Sequence, residues 1–381
     1  MATLTVHSSY TLVSMKSIIL LLLAALIPLA DSRLSVSGTK FKFNNETVFL
    51  SGANLAWINY GYDFGFGYWT NTKPKIEEQF KLLKQAGGST MRVWIHFEAV
   101  SSPLFDNRGF VTAGDDKGKF MGDFKDLFDT ALKYNILVIA TLWNADSKAR
   151  LLGLIRNTAK LQSYIDNVLK PMATLVKGHR ALGGYDIINE PEGIIYRNTV
   201  NSNKCFDTTN LNFGIGWHTQ QVTYEQMLRF INWQSAAIKS ADPGALVTVG
   251  IWEGRVMTDK YNMVNHYKDS CLKAAGGKEK GVLDFYSVHS YSNFPNNQFD
   301  VTSVFKHSAP DYGLDKPIVV GEFAVKYGGG GMTTNELFSY AYTHGYAGAW
   351  SWQLSENGPE QLAAITHIKD FTGNGNITIH L

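Results

Sequence analysis

Tyr185-Asp186-Ile187-Ile188-Asn189-Glu190-Pro191 is an apolar run that ends on a carboxylate, and Ile318-Val319-Val320-Gly321-Glu322-Phe323 repeats the pattern further along the chain. Both read as buried parallel strands, because they are short, branched or aromatic, and lack polar alternation. A glutamate directly after such a run loses hydration unless it is paired or used. A structural ion pair or a metal ligand would explain one such residue; two make that explanation hard to sustain. Working outward, six further segments have the same character: Val48–Trp57, Ser89–Ile95, Ile136–Trp143, Ala245–Trp252, Phe285–His289 and Ala347–Trp352. Between them lie helical patterns at Lys73–Ala86, Met121–Tyr134, Leu161–Val176, Tyr224–Ser240 and Asn335–Thr343, with a weaker one inside Asp259–Ala275. The first has Pro74 near its start and Gly87-Gly88 at its end, the usual punctuation of a helix. Eight strands alternating with helices predict an α/β fold, a (β/α)8 TIM barrel, rather than a doubly wound open sheet. The two glutamates then close strands four and seven, on opposite sides of the C-terminal mouth where barrels carry their chemistry.

The rest of the composition is consistent with one secreted domain. The chain has 381 residues, 45% hydrophobic and 18% charged, with a formal charge of +2 that gives no reason to expect a nucleic-acid partner. Aromatic residues make up 13% of it, enough for a large core and for faces that stack on sugars. Lys16 followed by the apolar run Ile18–Ile27 is too short to span a bilayer and reads as a signal peptide over residues 1–32, with Ala30 and Ser32 at the −3 and −1 positions. Translation starts at Met1 or at Met15. The mature domain is 33–381, with no repeat or linker to divide it, and is expected to be a monomer free of the membrane. Cys205 and Cys271 form either one disulfide or two buried thiols. Asn45 and Asn376 begin glycosylation sequons. The Asn- and Gly-rich stretch Glu192–Gln221 is expected to wall the cleft.

No His-x-x-x-His pair or clustered ligand pattern is present, so neither a metal nor a cofactor is expected. Gly328–Gly331 lacks the Lys-Ser/Thr of a phosphate-binding loop and reads as a mobile turn. Arg92 lies mid-run between Met91 and Val93, where an unpaired guanidinium is expensive to bury. Trp350 and Trp352 are two apart and share a face of their strand, with Trp352 nearer the mouth. For Trp143, Asn144, Trp252 and Glu253, a place in the cleft and a packing role are evenly balanced. His96 has the parity of Arg92 and Trp94, which would bring it near the site. Glu192 and Glu253 read as cleft wall or solvent-facing.

Asn189-Glu190-Pro191, Gly321-Glu322-Phe323, Met91-Arg92-Val93-Trp94, Val288-His289-Ser290-Tyr291 and Ala349-Trp350-Ser351-Trp352 together resemble glycoside hydrolase family five, in family order over nearly all of the mature chain. Leu50–Trp57 and Asn59–Gly65 are similar to the β-mannanases of molluscs and other invertebrates within it. The resemblance implies a retaining double displacement on a β-mannan, with Glu190 as acid/base and Glu322 as nucleophile; an endoglucanase uses the same apparatus, and a silent sugar-binding barrel is the rival of another class. It further implies that Asn189 binds the sugar 2-hydroxyl, that Arg92 and Tyr291 hold Glu322, and that His289 reaches towards the acid/base and the sugar. From its place nearest the mouth, Trp352 is expected to be the stacking platform, with Trp350 below it, and Trp143 and Trp252 are the further candidates for the cleft.

Overall fold

The structure, a computed structural model, describes residues 33–373 and 376–381. The leader expected over 1–32 lies outside the described residues. Eight parallel strands close into a barrel in sequence order: β1 Leu50–Asn54, β2 Thr90–Trp94, β3 Leu137–Asn144, β4 Leu182–Asn189, β5 Val247–Ile251, β6 Tyr286–His289, β7 Ile318–Glu322 and β8 Gly348–Ser351. The predicted TIM barrel is therefore the fold, and each predicted strand overlaps an observed one.

Val48 does not belong to β1. It ends a three-stranded antiparallel sheet made of Ser35–Ser37, Lys40–Phe43 and Glu46–Val48. Asn44 and Asn45 both have positive φ, 50° and 66°, as the tight turn of a two-residue hairpin demands. The sheet drives Phe41, Phe43 and Val48 into the lower end of the barrel, against Leu50, Leu137, Ile139, Phe285, Val319 and Trp350. Asn45 is exposed at the hairpin tip and Asn376 is exposed near the chain end.

The helical layer carries two surprises. The predicted segment Leu161–Val176 is one run from Thr158 to Leu175 through a wider turn at Ile165–Leu169, with a separate helix Ala149–Arg156 before it. A last helix, Leu354–Phe371, escaped the sequence reading because Asn357-Gly358-Pro359 breaks its pattern; Asn357 is non-helical at φ −144° and ψ 42°.

Cys205 and Cys271 are bonded, which settles the open choice, and tie the long loop after β4 to the helix Asp269–Gly276. Cross-linking residues 66 apart removes loop entropy from the unfolded chain, worth about 4 kcal/mol. No helix among the described residues is long and apolar enough to cross a membrane.

Candidate active site

Arg92 organises the barrel mouth. It projects from β2, is fully buried, and its guanidinium meets four acceptors. Nε donates to Asp186 Oδ2 (2.8 Å), Nη1 to Asn54 Oδ1 (2.9 Å) and Glu322 Oε1 (2.6 Å), and Nη2 to Asn189 Oδ1 (2.8 Å). A rigid planar fork suits this task, and the pairing with Asp186 answers the desolvation of both groups. Asp186 also accepts from Thr141 Oγ1 and from the Gly250 N–H. Burial raises its carboxyl and Arg92 opposes that rise. Gly250 is glycine for space: a Cβ there would stand 2.7 Å from Arg92 Nη2 and 3.1 Å from His289 Nε2.

Two strands abandon simple alternation at the mouth. Thr141 and Asn144 both face the axis, as do Asp186 and Asn189, and each pair is an odd three residues apart. The ladder between β4 and β5 shifts register at the same level. The irregularity brings Asn189 to Arg92 and leaves Glu190 at φ 45°, ψ 53°, a left-handed conformation costing a non-glycine residue about 1–3 kcal/mol.

Glu190 keeps a fifth of its side chain exposed, whereas Glu322 keeps 4%. His289 Nδ1 lies 2.9 Å from Glu190 Oε1 and 3.5 Å from Glu322 Oε2. One ligand atom of each of these three residues lies within 4.8 Å of the others. Such a trio could ligate a cation, but the Arg92 guanidinium already sits against Glu322 and would repel one. Tyr291 donates its hydroxyl to Glu322 Oε2 at 3.0 Å.

Electrostatics separates the two glutamates. Burial pushes both carboxyls up. Glu190 is driven well above the carboxylate range, first by burial, then by the charges of Glu322 and Glu192. Glu322 is held back by Arg92 and by the Tyr291 hydrogen bond, so it ionises first. Burial, followed by the charge of Arg92, pushes the His289 imidazole well below its usual range, so it stays neutral.

Above this pair opens a cleft of about 470 Å³, walled by Trp94, Trp352, Trp252, Asn144, Tyr291 and Tyr327, with Phe294 on its rim. Of the residues singled out in the sequence, Arg92, Asn189, Glu190, His289, Tyr291 and Glu322 form one bonded cluster. Trp352 and Trp252 line the cleft, Trp252 stacking on Tyr291 at 6.0 Å.

Several expectations need correction. Trp350 does face the axis below Trp352, but it is fully buried in the lower cluster with Phe285 and Leu137, out of reach of a sugar. Trp143 turns outward, because alternation breaks before Asn144; its indole donates to Gln234 Oε1 at 2.9 Å and packs on Tyr164 and Phe230. His96 follows it into the same layer, beside Phe120, Trp143 and Ser102. Glu192 is neither wall nor solvent-facing: it is fully buried, accepting from the Tyr267 hydroxyl and the Trp252 N–H. Glu253 pairs with Arg255, whose guanidinium lies 3.5 Å over the ring of Phe213 on the long loop, and neither Glu253 nor that loop lines the cleft around the two glutamates.

Sequence reasoning missed Asn54, Asp186, Trp94, Glu98, Phe294 and Tyr327. Asp186 carried the signal used for Arg92, a charge stranded mid-strand. Trp94 stood inside a quoted motif. Phe294 and Tyr327 sit on loops, where no periodicity marks them.

A family model described as cellulase, glycosyl hydrolase family 5, matches residues 43–358. The chain is 44% identical over 357 residues to a mannan endo-1,4-beta-mannosidase of Mytilus edulis, covering 92% of this chain and 96% of the relative, and 39% identical over 351 residues to one of Cryptopygus antarcticus, covering 91% of each. Among solved structures it is similar to the beta-1,4-mannanase of the sea hare Aplysia kurodai, with 53% identity, a TM-score of 0.89, and coverage of 92% of this chain and all of that one.

Proposed function

This chain belongs to glycosyl hydrolase family 5, and on that premise we propose that it is a secreted endo-β-1,4-mannanase that cleaves with retention. That it is a glycoside hydrolase follows from the family. The mannan assignment rests on relatives named for that activity. The observation that carries the mechanism is the carboxyl pair: Glu190 and Glu322 present oxygens within 4.8 Å of each other in unequal environments. Retaining enzymes place their carboxyls about 5–5.5 Å apart, whereas inverting ones leave roughly 6.5–9.5 Å for a water.

In the first step Glu322 Oε2 attacks the anomeric carbon as the glycosidic C–O bond breaks, and Glu190 gives its proton to the departing oxygen. In the second, Glu190, now a carboxylate, takes a proton from water. That water's oxygen displaces Glu322 from the anomeric carbon, regenerating both groups. Arg92 holds Glu322 ionised from the Oε1 side and Tyr291 orients Oε2. Neutral His289 bridges the pair without adding charge. Asn189, anchored by Arg92, faces the 2-hydroxyl of the cleaved sugar, and Trp352 supplies the apolar face beneath its ring.

Secretion is supported by the apolar run after Lys16, which we take as a signal peptide over 1–32 preceding the domain 33–381, and by the Cys205–Cys271 disulfide, a bond of oxidising compartments. The matching family description favours a second reading, an endo-β-1,4-glucanase with the same apparatus. Reducing-sugar release on β-1,4-mannan beside soluble cellulose, with Glu322→Ala as control, separates the two. Release on mannan that the variant abolishes is expected. Release mainly on cellulose moves the substrate and keeps the mechanism, and release on neither overturns both.

A further inference from the structure

Behind the catalytic pair lies a second polar chain, running from Arg92 through Asn189 and Asn144 to Glu98. Arg92 Nη2 donates to Asn189 Oδ1 (2.8 Å), Asn189 Nδ2 donates to Asn144 Oδ1 (2.9 Å), and Asn144 Nδ2 donates to Glu98 Oε1 (2.6 Å). An amide can be turned over about its last torsion, exchanging oxygen for nitrogen, and its orientation follows from the partners it meets. Here the two ends fix it. Arg92 can only donate, so Asn189 must offer it oxygen. Glu98 Oε1 accepts, so Asn144 must offer it nitrogen, which leaves Asn144 Oδ1 facing Asn189. The two constraints agree, and Asn189 Nδ2 is left with a second hydrogen that has no protein acceptor among the described residues. Asn189 lines the cleft.

Glu98 is held for this task. It is 2% exposed and also accepts from the Tyr60 hydroxyl at 2.9 Å. Its neighbours Phe97 and Ala99 both have left-handed backbones, φ 56° and 62°, although neither is glycine. Strain at such residues persists where surrounding structure imposes it, commonly at functional sites. Here that structure includes the Asn144 N–H, which donates to the Phe97 carbonyl at 2.9 Å and ties the strained loop to β3.

We propose that Glu98 is a positioning residue for the glycosidase reaction: its buried carboxylate anchors Asn144, which holds in place the Asn189 amide that Arg92 has turned, so that the free N–H of Asn189 meets the 2-hydroxyl of the sugar being cleaved. The inference rests on the proposed role of Asn189 in that reading. In Glu98→Gln a neutral amide replaces the charged acceptor and can turn an N–H towards Asn144, which loosens Asn144 and the contact that holds Asn189 in place, although Arg92 still fixes which end of the Asn189 amide faces the cleft.

The test is a double-mutant cycle of Glu98→Gln and Asn189→Ala, with kcat and KM measured on mannohexaose. Cellohexaose replaces it if the wild-type enzyme cleaves only that, so failure of the mannan reading is seen in the wild type alone. Glu98→Gln is expected to lower kcat about 10- to 100-fold, the scale of a small misplacement at a reacting centre, with KM within about threefold. In the Asn189→Ala background the same change is expected to have less than a twofold effect, because its route is gone. A loss of equal size in both backgrounds, or unchanged kcat in the single variant, overturns the proposal. If Glu98→Gln does not fold, Asn144→Ala takes its place in the cycle with the same expectations and the same refuting outcomes.

Discussion

The two ends of one barrel interior are built on opposite principles. At the lower end Leu50, Leu137, Ile139, Val319 and Trp350 meet the hairpin's Phe41, Phe43 and Val48 in an apolar plug. Higher in the same barrel, Asn54, Arg92, Asp186, Asn189, His289 and Glu322 form a polar and charged lattice that is almost as buried. The lower end is stabilised by area removed from water, a non-directional term that tolerates apolar exchanges as long as volume is kept. The upper end carries desolvated charge whose stability depends on each partner being present, and that low-polarity setting is what separates the two glutamates. Stability and chemistry are thus divided along the strands rather than between domains.

Substitutions at the two ends should therefore fail differently. Glu322→Ala is expected to remove turnover by roughly ten-thousandfold while leaving the thermal midpoint close to wild type. A trapped glycosyl adduct mapped by mass spectrometry to any other residue would disprove its role. Glu190→Gln should slow polysaccharide hydrolysis about a thousandfold, yet spare the first step on an aryl glycoside with a good leaving group, which needs little protonation. Equal losses on both substrates would remove Glu190 as the acid.

Arg92→Lys keeps a cation but cannot serve four acceptors, and each charge-assisted bond lost is worth about 1.5–3 kcal/mol, so turnover should fall about tenfold or more. Its pH profile is more informative. Activity needs Glu322 ionised and Glu190 protonated, so the acid limb follows Glu322 and the alkaline limb follows Glu190. Arg92 lowers the Glu322 carboxyl, so weakening that contact should move the acid limb to higher pH. A limb that stays put, or moves down, would contradict the pairing seen here. Trp350→Phe belongs to the other end: turnover should stay within about twofold while the thermal midpoint drops by about 2–5 °C. A selective loss of sugar affinity in that variant would return Trp350 to the cleft.

What could be read in the sequence follows the same division. Strands β4 and β7 were legible because each apolar run stops on a glutamate, and Arg92 because a guanidinium stood inside another such run. For Trp143 the sequence leaves cleft and packing evenly balanced, and the change of pleat phase before Asn144 decides for packing; His96 is misplaced by parity with Arg92 and Trp94, because it lies beyond the end of β2 and packs beside Phe120 and Trp143. Trp350 was assigned the right side of its strand at the wrong depth, since spacing gives facing but not height in the barrel. The helix Leu354–Phe371 was lost to the break at Asn357-Gly358-Pro359.

The barrel, its strand order and the residue types at the mouth are legible along the chain, because burial imposes local patterns that survive in one dimension. Tertiary structure alone decided which charges pair, whether Cys205 meets Cys271, which of Trp143, Trp252, Trp350 and Trp352 faces the cleft, and that Glu98 closes a chain begun at Arg92. Those outcomes depend on distances between segments far apart in the chain and on irregularities in the pleat, and neither leaves a periodic trace.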